Sequence, residues 1–214
     1  MNNSCNSFCG ICDEINGISL IKGYDEIVSD KKNIIAETND FLIVPSIGPL
    51  NNSHVMLIPK RHINSFAALD RDTRSNGKEI LRELNEFIIH QSGRSLIFFE
   101  SGAGENIDRS GGCISHAHIH CVYYTQEFEN ALNKEINFKK IEGENLSFDI
   151  KNGYVWYMSN SYDEFLCNKP LLPSQFLRYL YSNANLIHGN WNWRRDNNIS
   201  GVLEVIDNYA DFKL

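Results

Sequence analysis

The chain has 214 residues, with 20 lysines and arginines against 27 aspartates and glutamates, which gives a formal net charge of −7. Hydrophobic residues make up 42% and charged residues 22%, proportions typical of a folded globular protein and not of a disordered one. The acidic balance gives no general attraction for nucleic acid or for an anionic membrane, so neither a nucleic acid polymer nor a membrane is expected as a partner. A local phosphate site remains compatible with this charge.

The N-terminus and the cysteines indicate the compartment. The first twelve residues contain Cys5, Cys9 and Cys12 but neither the basic start nor the apolar stretch of a signal peptide. Apolar runs are far shorter than the ~20 residues of a membrane helix. Six cysteines in a chain of this length are too few for a disulfide scaffold. The sequence therefore predicts a cytoplasmic protein with reduced thiols, and the crowding of thiols near the N-terminus suggests a metal.

The hydrophobic pattern predicts both strands and helices. Strands are expected at residues 34–37, 41–45, 54–59, 95–100, 114–124 and 153–158. Helices are expected at residues 71–91, 175–183 (capped by Ser174) and 199–212. Residues 1–125 are interpreted as a core and residues 126–214 as an extension packed on it, because no proline- or serine-rich linker separates the two.

Three histidines alternate along the predicted strand 114–124. The segment I-S-H-A-H-I-H-C-V contains His116, His118 and His120, and alternate side chains share one face of a strand. Same-face neighbours lie ~6.6 Å apart, whereas zinc–nitrogen bonds are ~2.0–2.1 Å long, so one ion could not easily bind all three. At most one histidine belongs to a metal, and the others suit acid, base or nucleophile chemistry near pH 7. The alternative is an exposed strand with polar side chains.

A glycine-rich loop, S-G-A-G-E-N-I-D-R-S-G-G, precedes the histidines. Glycines let backbone N–H groups approach an anion closely, and arginine or serine side chains can add contacts. Such a loop can also be only a hairpin connection, but beside three histidines it predicts a phosphate site. The candidate phosphate-binding residues of this loop are Ser101, Gly102, Arg109, Ser110, Gly111 and Gly112.

The sequence H-A-H-I-H-C-V resembles the motif His-φ-His-φ-His-φ-φ, with φ apolar, that names the histidine triad (HIT) superfamily. A second block, V-P-S-I-G-P-L-N-N-S-H-V-M-L-I-P-K-R-H, resembles the family segment in which a histidine, here His54, opens a strand ending in Ile-Pro-Lys-x-His. The resemblance covers about residues 9–124. It implies an α+β, HIT-like fold with a mostly antiparallel sheet and flanking helices, to which this chain adds its C-terminal extension.

The same resemblance implies nucleophilic catalysis on a nucleotide. In HIT enzymes the middle histidine, here His118, attacks an α-phosphate and forms a nucleotidyl-histidine intermediate. His116 and His120 would orient its ring and bind phosphate oxygens, and His54 would support the same site. The chain departs from the family at Gly112, where Gln is common, and near Ser46, where an acidic residue commonly grips the ribose.

The N-terminal pair Cys9-Gly10-Ile11-Cys12 is a C-x-x-C motif, which can bind a metal, be redox-active or be incidental. Two thiolates need two further ligands to complete a tetrahedral zinc site. Some HIT proteins and related uridylyltransferases combine such a pair with the histidine after Ile-Pro-x-x and the first triad histidine. The resemblance therefore implies a structural Zn²⁺ held by Cys9, Cys12, His62 and His116.

Arginine and tryptophan side chains stand out in the extension. Arg178 is the preferred candidate for a phosphate contact, because guanidinium binds phosphate bidentately and a helix N-terminus favours an anion. Trp191 and Trp193 could stack on a base, or they could pack the extension against the core.

The sequence thus predicts a nucleotide phosphohydrolase acting through His118, with a nucleotide or nucleoside-phosphate substrate. Two alternatives stay open: a nucleotidyltransferase or phosphorylase of the same fold, and a nucleotide-binding regulator that turns over little. His120 favours hydrolysis, since family transferases often carry Gln at that position. A homodimer is common in the family, and no feature of this sequence demonstrates one.

Overall fold

The computed structural model describes residues 9–104, 116–142, 147–187 and 191–214. It shows one eight-stranded sheet in which every described strand pair is antiparallel. The predicted α+β fold with a mostly antiparallel sheet is confirmed. No helix within these ranges is both long and apolar enough to cross a membrane.

The strands lie across the sheet in the order β1-β2-β3-β5-β4-β7-β8-β6. Their bounds are β1 Ala36–Glu37, β2 Phe41–Pro45, β3 Val55–Pro59, β4 Leu96–Gly102, β5 Ile119–Tyr123, β6 Lys139–Lys140, β7 Tyr154–Met158 and β8 Glu164–Asn168. The helices are α1 Gly10–Ile15, α2 Asp25–Ser29, α3 Arg71–Ser92, α4 Gln126–Glu135, α5 Phe176–Ala184 and α6 Ile199–Asn208, with a 3-10 turn at Phe66–Ala68.

Helices cover both faces of the sheet, and alternate positions of β4 point to opposite faces. Phe98 packs in a cluster that includes Leu84 of α3 and Val205 of α6. Ile97 and Phe99 pack in a second cluster with the buried side chains of α4 and α5. This double burial explains why β4 reads as a continuous apolar run in the sequence.

The longest helix, α3, begins at a capping aspartate and ends at a glycine. Asp70 caps α3 by accepting the backbone N–H of Thr73 at 2.9 Å, and Gly93 ends it with a φ of 70°, a left-handed conformation that suits glycine. The predicted helix at 71–91 therefore matches α3 within one residue. Three elements of the extension, α4, β6 and β8, have no counterpart among the predictions.

Strands of the extension continue the sheet of the core. β7 pairs with β4 from Phe98↔Met158 to Gly102↔Tyr154, and β8 pairs with β7. The two parts of the chain thus contribute strands to one sheet. The division at residue 125 stays a prediction.

Two local predictions are wrong. Of the strand expected at 114–124, residues 114 and 115 lie outside the described residues, and β5 covers Ile119–Tyr123. His116 and His118 lie before β5, where the Ala117 N–H donates to the Ile63 carbonyl at 2.6 Å. The three histidines therefore do not share one strand face. Ser174 does not cap α5, which begins after Gln175, a residue with a φ of 61° and no side-chain cap.

Candidate active site and metal site

A cleft of about 290 Å³ lies between the core and the extension. Its floor includes His118 and His120, with Met56 of β3 and Phe99 of β4 beside them. These residues meet because β5 lies between β3 and β4, which places His120 opposite both Met56 and Phe99. The extension contributes further lining residues, namely Leu172, Pro173, Ser174, Gln175, Phe176, Leu177, Arg178, Trp193 and Arg194.

His54 and His120 form a buried pair whose protons are fixed by their neighbours. The backbone N–H of Leu50 donates to His54 Nδ1 at 3.0 Å, so a neutral His54 carries its proton on Nε2. His54 Nε2 lies 2.9 Å from His120 Nδ1 and donates to it. A neutral His120 therefore carries its own proton on Nε2. Burial, more than any nearby charge, lowers the pKa of both rings well below the usual range, so both are neutral at pH 7.

His118 has the opposite tautomer. Its Nδ1 lies 2.7 Å from the His116 carbonyl oxygen, which can only accept, so Nδ1 carries the proton and Nε2 keeps its lone pair. Its ring contacts the His120 ring edge-on, with centroids 4.9 Å apart. The floor of the cleft thus combines an unprotonated imidazole nitrogen with a neighbouring N–H donor.

Four side chains converge beside this floor in an arrangement that can hold a metal ion. The ligand atoms of Cys9, Cys12, His62 and His116 all lie within 4.8 Å of one another. The four residues come from three places, because α1 brings in the two cysteines, His62 follows β3 and His116 precedes β5.

Three of the separations between these ligand atoms are close to those around one tetrahedral ion. The Cys12 Sγ lies 3.2 Å from His62 Nδ1 and 3.4 Å from His116 Nδ1, and the Cys9 Sγ lies 3.6 Å from His116 Nδ1. Bonds of ~2.0–2.3 Å in a tetrahedron require ligand separations of roughly 3.3–3.8 Å. His116 Nε2 also donates to the Pro59 carbonyl at 2.8 Å, which leaves Nδ1 unprotonated for a metal.

The predicted phosphate residues are only partly described. Ser101 lines the cleft with the two histidines. Gly102 packs under Tyr154, and a side chain at this position would collide with the tyrosine ring, which accounts for the glycine without a phosphate. Its role as a phosphate ligand stays a prediction. Arg109, Ser110, Gly111 and Gly112 lie outside the described residues.

Arg178 lies on the cleft wall but is 3% exposed. Its Nη1 donates to Ser46 Oγ at 2.9 Å, and its Nη2 donates to the carbonyl of Gly48, both in the loop before His54. A phosphate contact by Arg178 stays a prediction. The two tryptophans differ, because Trp191 packs edge-on against Tyr179 whereas Trp193 lines the cleft.

Sequence reasoning missed part of the cleft. Ile18, Leu20 and Ile21 form an apolar wall after α1, and Leu20 is 99% exposed. The short apolar run I-S-L-I at residues 18–21 was the available signal. Glu100 was also missed, and it points away from the cleft, where it accepts the Phe66 N–H at 3.0 Å and the Tyr154 hydroxyl.

The sequence matches the family model described as "Protein similar to CwfJ C-terminal" over residues 24–139. This chain belongs to that family. The family is related to histidine triad domains, and the HIT-like fold predicted from the sequence is confirmed. A comparison with curated proteins finds no match.

Several solved structures are similar to the chain. A HIT family protein from Bacillus anthracis is 19% identical, over 57% of this chain and 77% of that one, with a TM-score of 0.43. A Zn-bound histidine triad family protein from Mycobacterium smegmatis is 18% identical, over 55% and 76%, with a TM-score of 0.40. A hypothetical histidine triad nucleotide-binding protein from Sulfolobus tokodaii is 14% identical, over 96% and 99%, with a TM-score of 0.42.

Proposed function

We propose that the chain is a nucleotide phosphohydrolase that cleaves its substrate at an α-phosphate, with His118 as the nucleophile. The observation that carries this proposal is the 2.7 Å hydrogen bond from His118 Nδ1 to the His116 carbonyl. It leaves Nε2 as the unprotonated nitrogen of a ring that lines the cleft. Burial lowers the pKa of His118 against the smaller opposing effect of the His116 hydrogen bond, and the Arg178 charge lowers it further, so the nucleophile is neutral at pH 7.

In the first step the His118 Nε2 lone pair forms a P–N bond to the α-phosphorus. In a polyphosphate substrate the P–O bond to the leaving group breaks, and the leaving oxygen departs with the electron pair. The His120 Nε2–H, set by the hydrogen bonds of His54, donates to a phosphate oxygen as charge develops. Splitting one displacement into two lowers each barrier.

In the second step water attacks the nucleotidyl-histidine. A new P–O bond forms, the P–N bond breaks, and its electron pair returns to His118 Nε2. The water loses a proton to solvent, and nucleoside monophosphate is released. An acceptor other than water in the same position would give transfer instead of hydrolysis.

A nucleoside fits the apolar part of the cleft. Ile18, Leu20, Ile47, Phe176 and Trp193 are among its lining residues, and apolar or aromatic walls bury a base well. The histidines lie on the floor of the same cavity. A base among the apolar side chains and a phosphate at the histidines would occupy one continuous site.

We also propose that Cys9, Cys12, His62 and His116 bind a structural Zn²⁺. Two thiolates and two imidazole nitrogens are donors that zinc prefers, and three of the separations between them are close to those of a tetrahedral site. When bound, the ion would supply a crosslink between α1, the end of β3 and the segment that leads to His118. Ser101 and the loop residues Arg109, Ser110, Gly111 and Gly112 remain the proposed phosphate ligands.

Labelled dinucleoside polyphosphates and nucleoside phosphoramidates, with and without phosphate or sugar-phosphate acceptors, test the reaction. The wild type and the control His90→Ala, an exposed histidine of α3, should release nucleoside monophosphate. His118→Ala should lose at least about 10²-fold in kcat. Turnover by His118→Ala at the wild-type rate would exclude the nucleophile assignment, acceptor-dependent product would select transfer, and binding without turnover would select a regulator.

A further inference from the structure

The loop of residues 46–53, called here the His54 loop, connects β2 to β3 and carries the group that sets the His54 tautomer. That group is the Leu50 N–H, which donates to His54 Nδ1 at 3.0 Å. If this N–H moved away, Nδ1 could take up the proton, and Nε2 could no longer donate to His120. The geometry of the loop therefore controls the tautomers of both histidines.

Residues of the extension hold this loop from several sides. On α5, Arg178 donates to Ser46 Oγ at 2.9 Å, to the Ile47 carbonyl at 3.4 Å and to the Gly48 carbonyl. These bonds clamp the first half of the loop. They are buried and therefore shielded from competition by water.

One turn further along α5, Tyr181 holds the second half of the loop. Its hydroxyl accepts from Asn51 Nδ2 at 2.8 Å and donates to the Tyr123 carbonyl at 3.0 Å, so it joins the loop to the end of β5. Arg178 and Tyr181 are three residues apart and lie on the same side of the helix. One face of α5 thus grips both halves of the loop.

The segment before α6 and the end of α6 add three more bonds. The Asn197 carbonyl accepts the Gly48 N–H at 2.8 Å, the Tyr209 hydroxyl donates to the Ser53 carbonyl at 2.8 Å, and Asn208 Nδ2 donates to the Asn52 carbonyl at 3.1 Å. The polar bonds described from the extension to this loop therefore reach from its first residue to its last. Residues of the extension therefore hold the His54 loop along its whole length.

We propose that Arg178 and Tyr181 are positioning residues. By holding the His54 loop, they determine which ring nitrogens of His54 and His120 carry a proton. Held in place, the Leu50 N–H confines the His54 proton to Nε2, and His120 presents its Nε2–H to the cleft. The catalytic consequence rests on the proposed function, but the tautomers do not. Arg178 thereby has a role that needs no contact with substrate.

The experiment measures tautomers directly, in the full chain and without substrate. Two- and three-bond ¹H–¹⁵N correlation spectra of ¹⁵N-histidine-labelled protein report which nitrogen of His54 and His120 carries the proton. The variants are Arg178→Lys, which keeps the charge but loses the planar fork, and Tyr181→Phe, which removes a single oxygen. The matched control is Arg74→Lys, since Arg74 also donates to a backbone carbonyl, that of Ala67 at 2.8 Å, but away from the loop.

The Nδ1-protonated fraction of His54 should rise about fivefold or more in each of the two test variants, the change expected when one neutral hydrogen bond weakens. The Arg74→Lys spectrum should match the wild type. With a nucleotide that the wild type hydrolyses, kcat of each test variant should be about tenfold lower than that of the wild type, while KM changes less than about threefold. Each residue is judged by its own variant.

Unchanged His54 and His120 signals in a variant would overturn the proposal for that residue. Unchanged tautomers in Arg178→Lys together with a raised KM would instead support the direct phosphate contact expected from the sequence. If no nucleotide is turned over by the wild type, the proposed function fails, and the spectra still decide the positioning role.

Discussion

His54 Nε2 lies 2.9 Å from His120 Nδ1, and this hydrogen bond is the last in a chain that starts at the backbone of Leu50. The two histidines are 66 residues apart in sequence, and β3 and β5 bring them together. A single imidazole in a cleft could adopt either tautomer. A pair tied to a backbone N–H cannot, because each proton position forces the next one.

Replacing His54 by Phe tests this chain. The ring volume is retained, but the donor to His120 Nδ1 is lost, so His120 can protonate Nδ1 and present a lone pair to the phosphate. We expect kcat to fall by on the order of 10²-fold, with the melting temperature as the check on folding. His54→Gln, whose amide can still donate, should retain more activity than His54→Phe. Equal activity of His54→Phe and wild type would remove His54 from the site.

Metal content tests the cluster of two cysteines and two histidines. The purified chain should contain about one Zn²⁺, and Cys12→Ser should weaken zinc binding by at least about tenfold and lower the melting temperature. Cys167→Ser is the control, because Cys167 is a free thiol of β8 outside the cluster. A wild-type chain that is folded and metal-free after purification in zinc-containing medium would contradict the proposal.

Glu100 predicts a pH dependence of stability. Burial raises its pKa from 4.5 to about 7, against the smaller opposing effects of the Tyr154 and Phe66 hydrogen bonds. Between these values the folded chain holds a proton that the unfolded chain has lost, so this group favours folding at low pH and loses that effect as pH rises toward 7. The contribution of Glu100 to the free energy of unfolding is therefore about 3 kcal/mol more favourable at low pH than above pH 7.

Glu100→Gln removes this titration while keeping the shape of the side chain. Urea unfolding at pH 5 and pH 8 should show that the wild type loses more stability than the variant over this interval, by about 2–3 kcal/mol. Parallel stability curves for the two proteins would show that Glu100 keeps an ordinary pKa.

Two glycines with positive φ allow a matched test of the contact between core and extension. A Cβ at Gly48 would lie 2.7 Å from the Asp196 carbonyl oxygen and 3.1 Å from Trp193, whereas a Cβ at Gly93 would meet nothing within 4 Å. Gly93→Ala should lose about 1 kcal/mol of unfolding free energy from backbone strain alone. Gly48→Ala should lose about 1–3 kcal/mol more, because the neighbouring backbone must move. Equal losses would mean that Asp196 and Trp193 do not press on the loop.

The sequence predicted the central strands and helices where local signals and tertiary structure agree. β2 matches its predicted bounds, and α3 carries its own cap and stop signals. The triad strand is shorter than predicted because His116 and the Ala117 N–H are engaged by Pro59 and Ile63, contacts that alternation along the chain does not reveal. Helix α4 was missed although Thr125 caps it, since its long polar face obscured the spacing of Phe128 and Leu132.

The metal cluster and the choice of His118 came from a family resemblance, and the structure supplies distances for both. What the sequence could not show is how the extension reaches the site. A phosphate contact by Arg178 stays a prediction, and the structure adds that this side chain donates to oxygen atoms of a loop about 130 residues earlier in the chain. Such long-range hydrogen bonds depend on how the helices of the extension pack on the sheet, and no short-range sequence pattern encodes them.

The pairing of β7 with β4 has a practical consequence for anyone who shortens this chain. A fragment ending at residue 125 would expose the backbone N–H and C=O groups of β4 from Phe98 to Gly102, a ready template for another molecule's strand. Such a fragment should self-associate through this exposed strand edge, in addition to losing the part of the cleft that the extension contributes. Its inactivity would then reflect aggregation, and experiments that aim to separate catalysis from recognition are better carried out with point variants of the whole chain.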